Sequence, residues 1–404
     1  MNATWATSTV GEQFDVQLGK MLDAAKNVGV PKPYLGNRAV QWGRVDVSAC
    51  GVVPMTRSDL QRYRLRNGDL LVCEGGDVGR GAIWRNELPE CYYQKALHRL
   101  RAKNGYDARL MLAFLAHWSS TCAFADFVTQ TSIAHLPREK FVRMPLPLPS
   151  KAEQRRIGDV LQDADDLIAT LQRLIAKKQA IKQGMMQQLL TGRTRLPGFN
   201  QDWADLRAGD LGTFTGGSGF APRYQGAMSG QIPFFKVSDM NNDGNELFMR
   251  RANNYVTESQ RKSMGAVLMP PKAIVFAKVG AAVFLERKRI LTAPSCIDNN
   301  MAAYCVDKSR VDVRFMHYFL SAFPISSLVT TGALPSLNGG QLRSIPISLP
   351  NEVDEQRAIA AALAGSDAEI DALSARLAKA RDIKIGMMQQ LLTGRVRLSA
   401  AAAS

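Results

Sequence analysis

The sequence predicts an α+β fold, in which two globular domains of mixed strands and short helices are joined by two long helices in an antiparallel coiled coil with pseudo-two-fold symmetry. Three observations predict this fold. The ten residues GMMQQLLTGR occur at residues 184–193 and again at 386–395, an offset of 202 residues in a chain of 404. A heptad pattern precedes each copy. Patterns of short strands and turns fill the stretches before the helices.

The repeat extends upstream of the shared decapeptide. The tripeptide EQR at residues 153–155 returns at 355–357 with the same offset, whereas residues 1–150 and 198–350 share little sequence. A duplicated frame with two different modules is therefore expected. The predicted divisions are residues 1–150 (first module), 151–197 (first long helix and its turn), 198–350 (second module), 351–398 (second long helix) and 399–404 (a disordered tail).

The first long helix is predicted to begin at Ser150, in a capping box where Ser150 serves the amide of Glu153 and Glu153 reaches back to the cap. Each helix is predicted to end where Gly192 or Gly394 takes a left-handed conformation. About 40 residues at 1.5 Å each make a rod of roughly 60 Å. The apolar seam follows steps of four and three. Its predicted members are Ile157, Leu161, Ala164, Ile168, Leu171 and Ile175, and then Ile359, Leu363, Ser366, Ile370, Leu373 and Leu377.

Antiparallel pairing of the two helices would bury both seams and place the modules at opposite ends of the pair. In the alternative, each helix packs on its own module, which would leave the heptad pattern without a purpose. Lys178 continues the first seam where the second seam has Ala380. Two roles are open for Lys178: it fixes the register of the pair, or its long side chain reaches out from the edge of the seam.

The charge indicates a polyanionic partner. The chain has 51 Lys and Arg against 36 Asp and Glu, a net charge of +15 and a pI near 9.7. Both modules are basic, with 19 basic against 13 acidic side chains in residues 1–150 and 16 against 11 in residues 198–350. Two separate basic modules predict two footprints on one long polyanion, each gaining affinity by counterion release. A generally basic soluble protein is the alternative.

Other kinds of site are not indicated. The six cysteines and four histidines are scattered, without the spacing of a zinc site or a readable grouping of nucleophile and base. We therefore predict neither catalytic residues nor metal ligands. No stretch approaches the roughly 18 apolar residues of a membrane helix, and the N-terminus does not resemble a signal peptide. The expected localisation is the cytoplasm, with reduced cysteines.

Candidate DNA contacts lie where aromatic, basic and amide side chains interleave. Residues 34–44 match the pattern of residues 232–242, and two predicted strands lead into glycine-containing loops that carry Arg80 and Lys278. Arg and Lys suit guanine edges and phosphates, whereas Asn and Gln suit adenine. Trp42 and Phe235, in the same patterns, are open to a role in the core or in contact. The candidates are Arg38, Gln41, Arg44, Arg80, Lys236, Asn241, Asn242, Lys278, Arg287 and Lys288.

Taken together, these features resemble the specificity subunit of type I restriction-modification enzymes over essentially the whole chain. The helices that start with EQR and end with LLTGR resemble that family's central and distal conserved regions. MPLPLPS at residues 144–150 and IPISLPN at 345–351 resemble the exits of its target recognition domains. FKVSD at 235–239 and FAKVG at 276–280 resemble phrases of those domains. The first module departs from them, with WGRVD and CEGG in the equivalent places.

The resemblance implies a non-catalytic reader of double-stranded DNA. Each target recognition domain would read one half of an asymmetric bipartite site, while the paired helices set the spacer. The implied partners are two methyltransferase subunits, which methylate adenine N6 with S-adenosylmethionine, and two restriction subunits that use ATP and Mg²⁺, so no cofactor is expected on this chain. In agreement, the sequence has no GxxxxGK[ST] phosphate loop, no Gly-rich strand-loop for S-adenosylmethionine and no [DN]PP[YF] motif.

Three other functions stay open at the level of sequence. The first is the recognition subunit of a related system in which restriction and methylation are fused. The second is a standalone enzyme with a hidden active site; Glu286 and Lys288 have the spacing of half a nuclease motif, which also arises by chance in a basic turn. The third is a coiled-coil adaptor whose basic modules bind acidic proteins.

Overall fold

The computed structural model describes residues 5–23, 27–121, 123–130, 134–329 and 335–398, which fall into two compact units. The first unit comprises the chain up to Arg173 together with the residues from Ala375 onward, and the second is Leu174–Ser374. Each unit therefore combines one module with a part of each long helix. The predicted tail at 399–404 and Cys122 lie outside the described residues.

The first unit is built around an antiparallel sheet of order β2-β10-β7-β8 and a second sheet of order β6-β3-β9, in which β3 and β9 are parallel. A pair of strands, β1 and β13, joins the beginning and the end of the module. Its strands are β1 (Ala6–Thr9), β2 (Phe14–Leu18), β3 (Val30–Leu35), β4 (Val40–Gln41), β5 (Arg44–Val45), β6 (Gly51–Met55), β7 (Leu70–Cys73), β8 (Gly81–Ile83), β9 (Tyr92–Tyr93), β10 (Leu97–Ala102), β11 (Thr129–Gln130), β12 (Ala134–His135) and β13 (Pro145–Leu148). Its helices are α1 (Val10–Gln13), α2 (Arg57–Arg62), α3 (Ala108–Ser120) and α4 (Arg138–Phe141), and the long α5 (Lys151–Leu189) starts in this unit.

The second unit is built on the same plan, with a sheet of order β15-β22-β19-β20-β17, a sheet of order β18-β16-β21 and a closing pair, β14 with β23. Its strands are β14 (Trp203–Arg207), β15 (Gly212–Gly216), β16 (Ile232–Phe235), β17 (Phe248–Met249), β18 (Tyr255–Val256), β19 (Ile274–Ala277), β20 (Lys288–Leu291), β21 (Cys296–Ile297), β22 (Met301–Val306) and β23 (Pro346–Pro350). Its helices are α6 (Glu258–Ser263), α7 (Val313–Ala322) and α8 (Gly339–Arg343), and the long α9 (Val353–Leu391) starts in this unit.

The two modules repeat one strand arrangement although they share little sequence. The four strands β2-β10-β7-β8 correspond to β15-β22-β19-β20, and the parallel pair β3 with β9 corresponds to the parallel pair β16 with β21. The second main sheet adds one strand, β17, at its edge. The prediction of an α+β fold with two related modules and two long helices is confirmed.

One amphipathic helix completes each core. In α3, the buried residues Leu110, Met111, Phe114 and Leu115 recur at the spacing of one helix face and pack against β7 and β10. Asp107 caps this helix by accepting from the N–H of Arg109 at 2.8 Å. In α7, an equivalent apolar face packs against β19 and β22, and Asp312 is its cap. Each fully buried side chain of this size contributes about 1.5–3 kcal/mol to the free energy of unfolding.

The long helices run antiparallel within each unit. In the first unit, Asp165 near the start of α5 forms an ion pair with Lys384 near the end of α9. In the second unit, Lys182 near the end of α5 forms the equivalent ion pair with Asp367 near the start of α9. These pairs join residues at the same positions of the two repeats. The predicted antiparallel pairing is therefore present in both units.

The direction of pairing is encoded by the order of charges along each helix. Residues 159–166 contain four aspartates and no basic residue, whereas residues 173–182 contain four basic residues and no acidic one. In α9 the acidic residues at 367–371 again precede a basic stretch at 376–384. Antiparallel pairing places the acidic part of one helix against the basic part of the other. Parallel pairing would place like charges together, which destabilises a helix pair.

The glutamates of the repeated EQR tripeptides form ion pairs that connect the start of each long helix to the segment that follows the other long helix. The carboxylate of Glu153 accepts two hydrogen bonds from Arg397, at 2.6 and 2.8 Å, and the carboxylate of Glu355 accepts two from Arg195 at 2.6 Å each. The prediction that the Glu153 side chain reaches back to the helix cap is wrong, because Arg397 occupies its carboxylate. Ser150 does cap the helix, since its hydroxyl oxygen accepts from the Glu153 N–H at 3.3 Å.

The predicted seam residues are buried unequally. At the ends, Ile157 and Leu161 belong to the core of the first module, and Ile359 and Leu363 belong to the core of the second. Leu171 is buried outside those cores. Antiparallel pairing of the helices is therefore combined with the alternative, in which a helix packs on its module, because the ends of the helices belong to the module cores. Half-buried members are Ala164, Ile168, Ile175, Ser366, Ile370, Leu373 and Leu377.

Lys178 extends to the edge of the helix pair in the second unit. Its ammonium group forms an ion pair with Glu369 of the other helix at 2.5 Å, and its side chain is partly exposed. The side chain thus reaches out from the seam and carries a specific contact between the helices at the same time.

Candidate nucleic-acid interface

In the first unit, the loops that follow β3 and β7 meet at the carboxyl ends of those strands. Asn37 opens a short 3-10 turn after β3, and its Nδ2 donates to the carbonyl of Gly75 at 2.9 Å. Arg80 Nη2 donates to the carbonyl of Asn37 at 3.1 Å. Gly76 has a φ of +76°, which only glycine adopts readily, and it turns the chain after β7. We call the surface formed by residues 36–44 and 74–80 the first loop surface.

The second unit has a corresponding surface. The loop after β16 forms the 3-10 turn Val237–Asn241, and Arg287 donates a hydrogen bond to the side-chain oxygen of Asn241. Gly280, with a φ of +80°, turns the chain after β19, as Gly76 does after β7. We call the surface formed by residues 236–242 and 278–287 the second loop surface.

Strand register shows that Glu74 and Lys278 are equivalent residues. Each directly follows an inner strand of the main sheet, and each is followed two residues later by a glycine at positive φ. The backbone of each makes the same two hydrogen bonds. In the first bond, the N–H of Glu74 donates to the carbonyl of Ala96 at 3.0 Å, and the N–H of Lys278 donates to the carbonyl of Asn300 at 2.8 Å. In the second bond, the carbonyl of Glu74 accepts from the N–H of Leu136 at 2.7 Å, and the carbonyl of Lys278 accepts from the N–H of Leu337 at 2.9 Å.

Arg80 and Lys278, the basic residues of the two corresponding loops, are therefore not at equivalent positions. Gly81 pairs with Val72 in the first unit, and Lys288 pairs with Phe276 in the second, so the residues before them, Arg80 and Arg287, are the equivalent pair. Both guanidinium groups donate to the 3-10 turn of their own loop surface. A part of their hydrogen-bonding capacity thus holds the two loops together, which sequence alone did not indicate.

The candidates of the first module lie on the first loop surface. Arg38 and Arg44 are exposed, whereas Gln41 is half-buried and donates to the carbonyl of Arg38 at 2.9 Å. Gly43, at φ +69°, closes the turn between β4 and β5 and presents Trp42 to solvent with 39% of its surface exposed. Trp42 is therefore a surface residue.

The candidates of the second module lie on or beside the second loop surface. Lys236 is half-buried, and its Nζ donates to Gln225 at 3.2 Å. Asn241 is exposed, whereas Asn242 is half-buried and donates to the side chain of Asn253 at 3.0 Å. Phe235, the counterpart of the aromatic pattern in the first module, is buried in the core. This surface thus presents basic and amide groups beside one another.

Lys288 does not belong to the interface. Its side chain is 2% exposed, and its Nζ contacts the Glu286 carboxylate and the carbonyl of Phe323 at 3.2 Å. Burial lowers the pKa of Lys288, and Glu286 opposes that shift. Glu286 also accepts from the N–H of Ser326 at 2.7 Å. The prediction that Lys288 contacts DNA is wrong, and the nuclease-like spacing of Glu286 and Lys288 is a buried structural ion pair.

Glu74 is not among the residues predicted from the sequence, because an acidic residue in a basic module does not suggest a DNA contact. The available signal was its position two residues before a glycine at the end of a strand, the same position that Lys278 holds before Gly280. Glu74 is half-buried, and burial raises the pKa of its carboxyl group.

Among the described residues, no group of three or more His, Cys, Asp or Glu side chains is placed to hold a metal ion. Nor does any helix in that part of the chain combine the length and the apolar character needed to cross a bilayer.

Comparison with known proteins agrees with this geometry. Residues 2–182 and 200–380 each match the family model of the type I restriction modification DNA specificity domain, so the chain belongs to that family and carries two copies of its domain. It is 24% identical to a putative type I restriction enzyme MjaX specificity subunit of Methanocaldococcus jannaschii, over 91% of this chain and 87% of that protein. It is 22% identical to the MjaVIII specificity subunit of the same organism, over 66% of each.

Solved structures share the fold. The S subunit of a type I restriction-modification system from M. genitalium superposes with a TM-score of 0.62 at 15% identity, covering 97% of both chains. A chain from a structure that concerns complex assembly and conformational transition of the type I restriction-modification system gives 0.60 at 17% identity, covering 98% of this chain and 99% of that one. The chain is a type I specificity subunit by family and by fold.

Proposed function

We propose that each loop surface of this specificity subunit reads one half of an asymmetric bipartite sequence in double-stranded DNA. The observation that carries the proposal is a loop start that both modules share and furnish with different side chains. Gly76 and Gly280 both turn the chain at positive φ after an inner strand, whereas the residues around them differ in charge and in hydrogen-bonding type. Corresponding positions with different side chains can read different base edges.

Replacement of residues 1–150 by the first module of another family member tests this proposal. The hybrid chain, assembled with the methyltransferase subunits of this system, is expected to change one half of the methylated motif and to leave the other half unchanged. The measurement is the N6-methyladenine motif in the genome of cells that carry each version. A change in both halves, or in neither, would contradict independent reading.

The long helices set the spacing between the half-sites in this proposal. Each helix continues without interruption from one unit into the other, as Lys151–Leu189 and Val353–Leu391. Deletion of one heptad from each helix, residues 170–176 and 373–379, shortens each by about 10 Å and preserves the heptad phase. Three DNA base-pair steps of about 3.4 Å span a similar length. The spacer of the recognised motif is therefore expected to shorten by about three base pairs. An unchanged spacer would contradict the proposal that the helices set its length.

Two equivalent surfaces at the ends of the helices would bind two copies of one partner. Folding accounts for the buried leucines and for Gly192 of the repeated decapeptide but not for all of its exposed residues, which include Gln187 and Arg193. Ile181, three residues before the first decapeptide, is 45% exposed, and its equivalent Ile383 is 50% exposed. An exposed surface that is repeated together with the fold fits a partner that binds twice. We assign it to the methyltransferase subunits.

Stoichiometry tests this assignment. Ile181→Glu and Ile383→Glu should each reduce the complex from two methyltransferase subunits to one, and the double variant should bind none. Native mass spectrometry measures the ratio directly. Full occupancy in the double variant would exclude these surfaces.

The chemistry of the system resides in its partners. S-adenosylmethionine would bind to the methyltransferase subunits, and ATP and Mg²⁺ to two restriction subunits, while this chain contributes no catalytic residue. Since its substrate is intracellular DNA, we place its action in the cytoplasm. The test is turnover: the purified chain alone should neither methylate nor cleave DNA.

A further inference from the structure

Glu74 and Lys278 place opposite charges at one position of a shared framework. Both are the first residue after an inner strand, and the backbones around them match in hydrogen bonding and in the glycine turn that follows. At this position the two modules therefore share the backbone conformation but carry side chains of opposite charge.

The Glu74 carboxylate lacks the partner that its burial calls for. It is half-buried, and in the described part of the chain it accepts no hydrogen bond and forms no ion pair; the charge of Lys95 only partly opposes the effect of burial on the pKa of this carboxyl group. Partial burial of a carboxylate without hydrogen bonds costs free energy of folding. A bound molecule that donates a hydrogen bond would offset this cost.

Lys278 presents the opposite case. Its Nζ lies over the backbone of Gly216 at the end of β15, where a Cβ on that glycine would approach it to 2.8 Å. Among the described residues, no side chain or carbonyl accepts a hydrogen bond from this ammonium group. Its three N–H bonds are free to meet an acceptor outside the chain.

The two groups select different edges of a base pair. A carboxylate only accepts hydrogen bonds and is repelled by phosphates, so on a DNA-facing surface it can pair only with the donors of the bases. In the major groove those donors are the exocyclic amino groups, N4 of cytosine and N6 of adenine. An ammonium group only donates, and it suits the O6 and N7 acceptors of guanine.

We propose that Glu74 and Lys278 are the corresponding specificity-determining residues of the two half-sites. Glu74 accepts a hydrogen bond from an exocyclic amino group in one half, and Lys278 donates to the acceptor edge of guanine in the other. This assignment rests on the proposed function, because it requires that each loop surface faces one half-site.

Selection from a random duplex library tests the assignment on the full-length chain assembled with its methyltransferase subunits. Glu74→Met, which removes the hydrogen-bond acceptor, is expected to reduce the preference at a single base pair of one half-site by roughly ten- to hundredfold and to leave all other positions unchanged. The matched control is Glu87→Met, which removes the same charge from an exposed residue of the same module. Lys278→Gln should act on a single base pair of the other half-site, with exposed Lys308→Gln as its control.

Base analogues identify the group that Glu74 reads. At the affected position, purine in place of adenine, or 2-pyrimidinone in place of cytosine, removes the amino group alone. The wild-type complex should lose roughly tenfold or more in affinity with the correct analogue, whereas Glu74→Met, which cannot accept the hydrogen bond, should lose little. A loss of affinity with purine identifies N6 of adenine as the donor, and a loss with 2-pyrimidinone identifies N4 of cytosine.

The possible results distinguish a failure of either residue assignment from a failure of the proposed function. If Glu74→Met leaves every base preference unchanged, or weakens binding equally on all sequences, the assignment of Glu74 is overturned. A uniform loss in Lys278→Gln, with a weaker dependence on salt, would assign Lys278 to a phosphate instead. If the wild-type complex selects no bipartite sequence, the proposed function itself fails. Melting temperatures of the variants that are no lower than that of the wild type exclude a folding defect.

Discussion

Arg195 donates two hydrogen bonds, each 2.6 Å long, to the carboxylate of Glu355, 160 residues further along the chain. Glu355 is 1% exposed, and the guanidinium group also lies over the ring of Trp203. Arg397 contacts Glu153 and Trp5 in the same manner. The glutamate of each EQR tripeptide therefore pairs with the arginine that follows LLTGR in the other repeat.

Arg195→Met is expected to lower the melting temperature by several degrees, because it leaves the buried Glu355 carboxylate without its partner. Arg193→Met, two residues earlier in the chain, is the control, since Arg193 is exposed and forms no ion pair among the described residues. Differential scanning calorimetry of both variants makes the comparison. Equal melting temperatures would show that the ion pair does not hold the helix end.

Reversal of one interhelical ion pair tests the encoded direction of pairing. Asp367→Lys is expected to destabilise the second unit through repulsion from Lys182, and addition of Lys182→Asp should restore part of the loss. The coupling should be about 0.2–1 kcal/mol, since both side chains are partly exposed. Urea unfolding of the two single variants and the double variant measures it. A coupling of zero would contradict a contribution of this pair; the same cycle on Asp165 and Lys384 should agree with it.

Two glycines of the same decapeptide should respond in opposite directions to alanine. Gly192 has a φ of +69°, and a Cβ there would lie 3.2 Å from the Trp203 ring, so Gly192→Ala should lower the free energy of unfolding by about 1–2 kcal/mol. Gly184 lies within α5 with no atom within 4 Å of its would-be Cβ, so Gly184→Ala should raise it by about 0.5–1 kcal/mol. Chemical denaturation distinguishes them. Changes of the same sign would contradict this explanation.

Acid should destabilise the protein through two buried histidines. Burial lowers the pKa of both His98 and His317 to about 4, and their Nε2 atoms bond to the carbonyls of Leu136 and Lys288. Between about pH 6.5 and pH 4 the unfolded chain therefore binds more protons than the folded chain, so stability is complete above this window and is lost as the pH falls through it. Each histidine accounts for a loss on the order of 3 kcal/mol.

Unfolding curves recorded from pH 7.5 to pH 4.5 check the acid effect. His98→Gln keeps a side-chain N–H donor and removes the titrating group, so its stability should vary less with pH than that of the wild type. His317→Gln is the matched variant in the second module and should reduce the pH dependence to a similar extent. An unchanged slope in His98→Gln would refute the role of burial.

The sequence predicted those features that local pattern determines. The repeated decapeptide and the heptads indicated two related halves and two long helices, and Gly192 and Gly394 adopt the positive φ expected of them. These predictions hold because helix periodicity and glycine conformation depend on neighbouring residues.

Features that depend on long-range pairing could not be predicted. The partner of Glu153 is Arg397, not the nearby cap, since an ion pair across the fold satisfies a buried carboxylate better. The equivalence of Glu74 with Lys278 requires strand register, which a comparison of single residues does not contain. Lys288 gave no sign of burial in the sequence, because its ion pair with Glu286 forms only when the strand β20 and its preceding turn are in place.

The ion pair between Glu153 and Arg397 also bears on how the chain is made. The first unit needs residues from Ala375 onward, which leave the ribosome only after the whole second module has been synthesised. Until then, the nascent first module holds a carboxylate without its arginine and an apolar surface that Leu391 and Leu392 have not yet covered. Termination anywhere before the end of α9 would therefore leave the first unit incomplete, even where the second unit is whole.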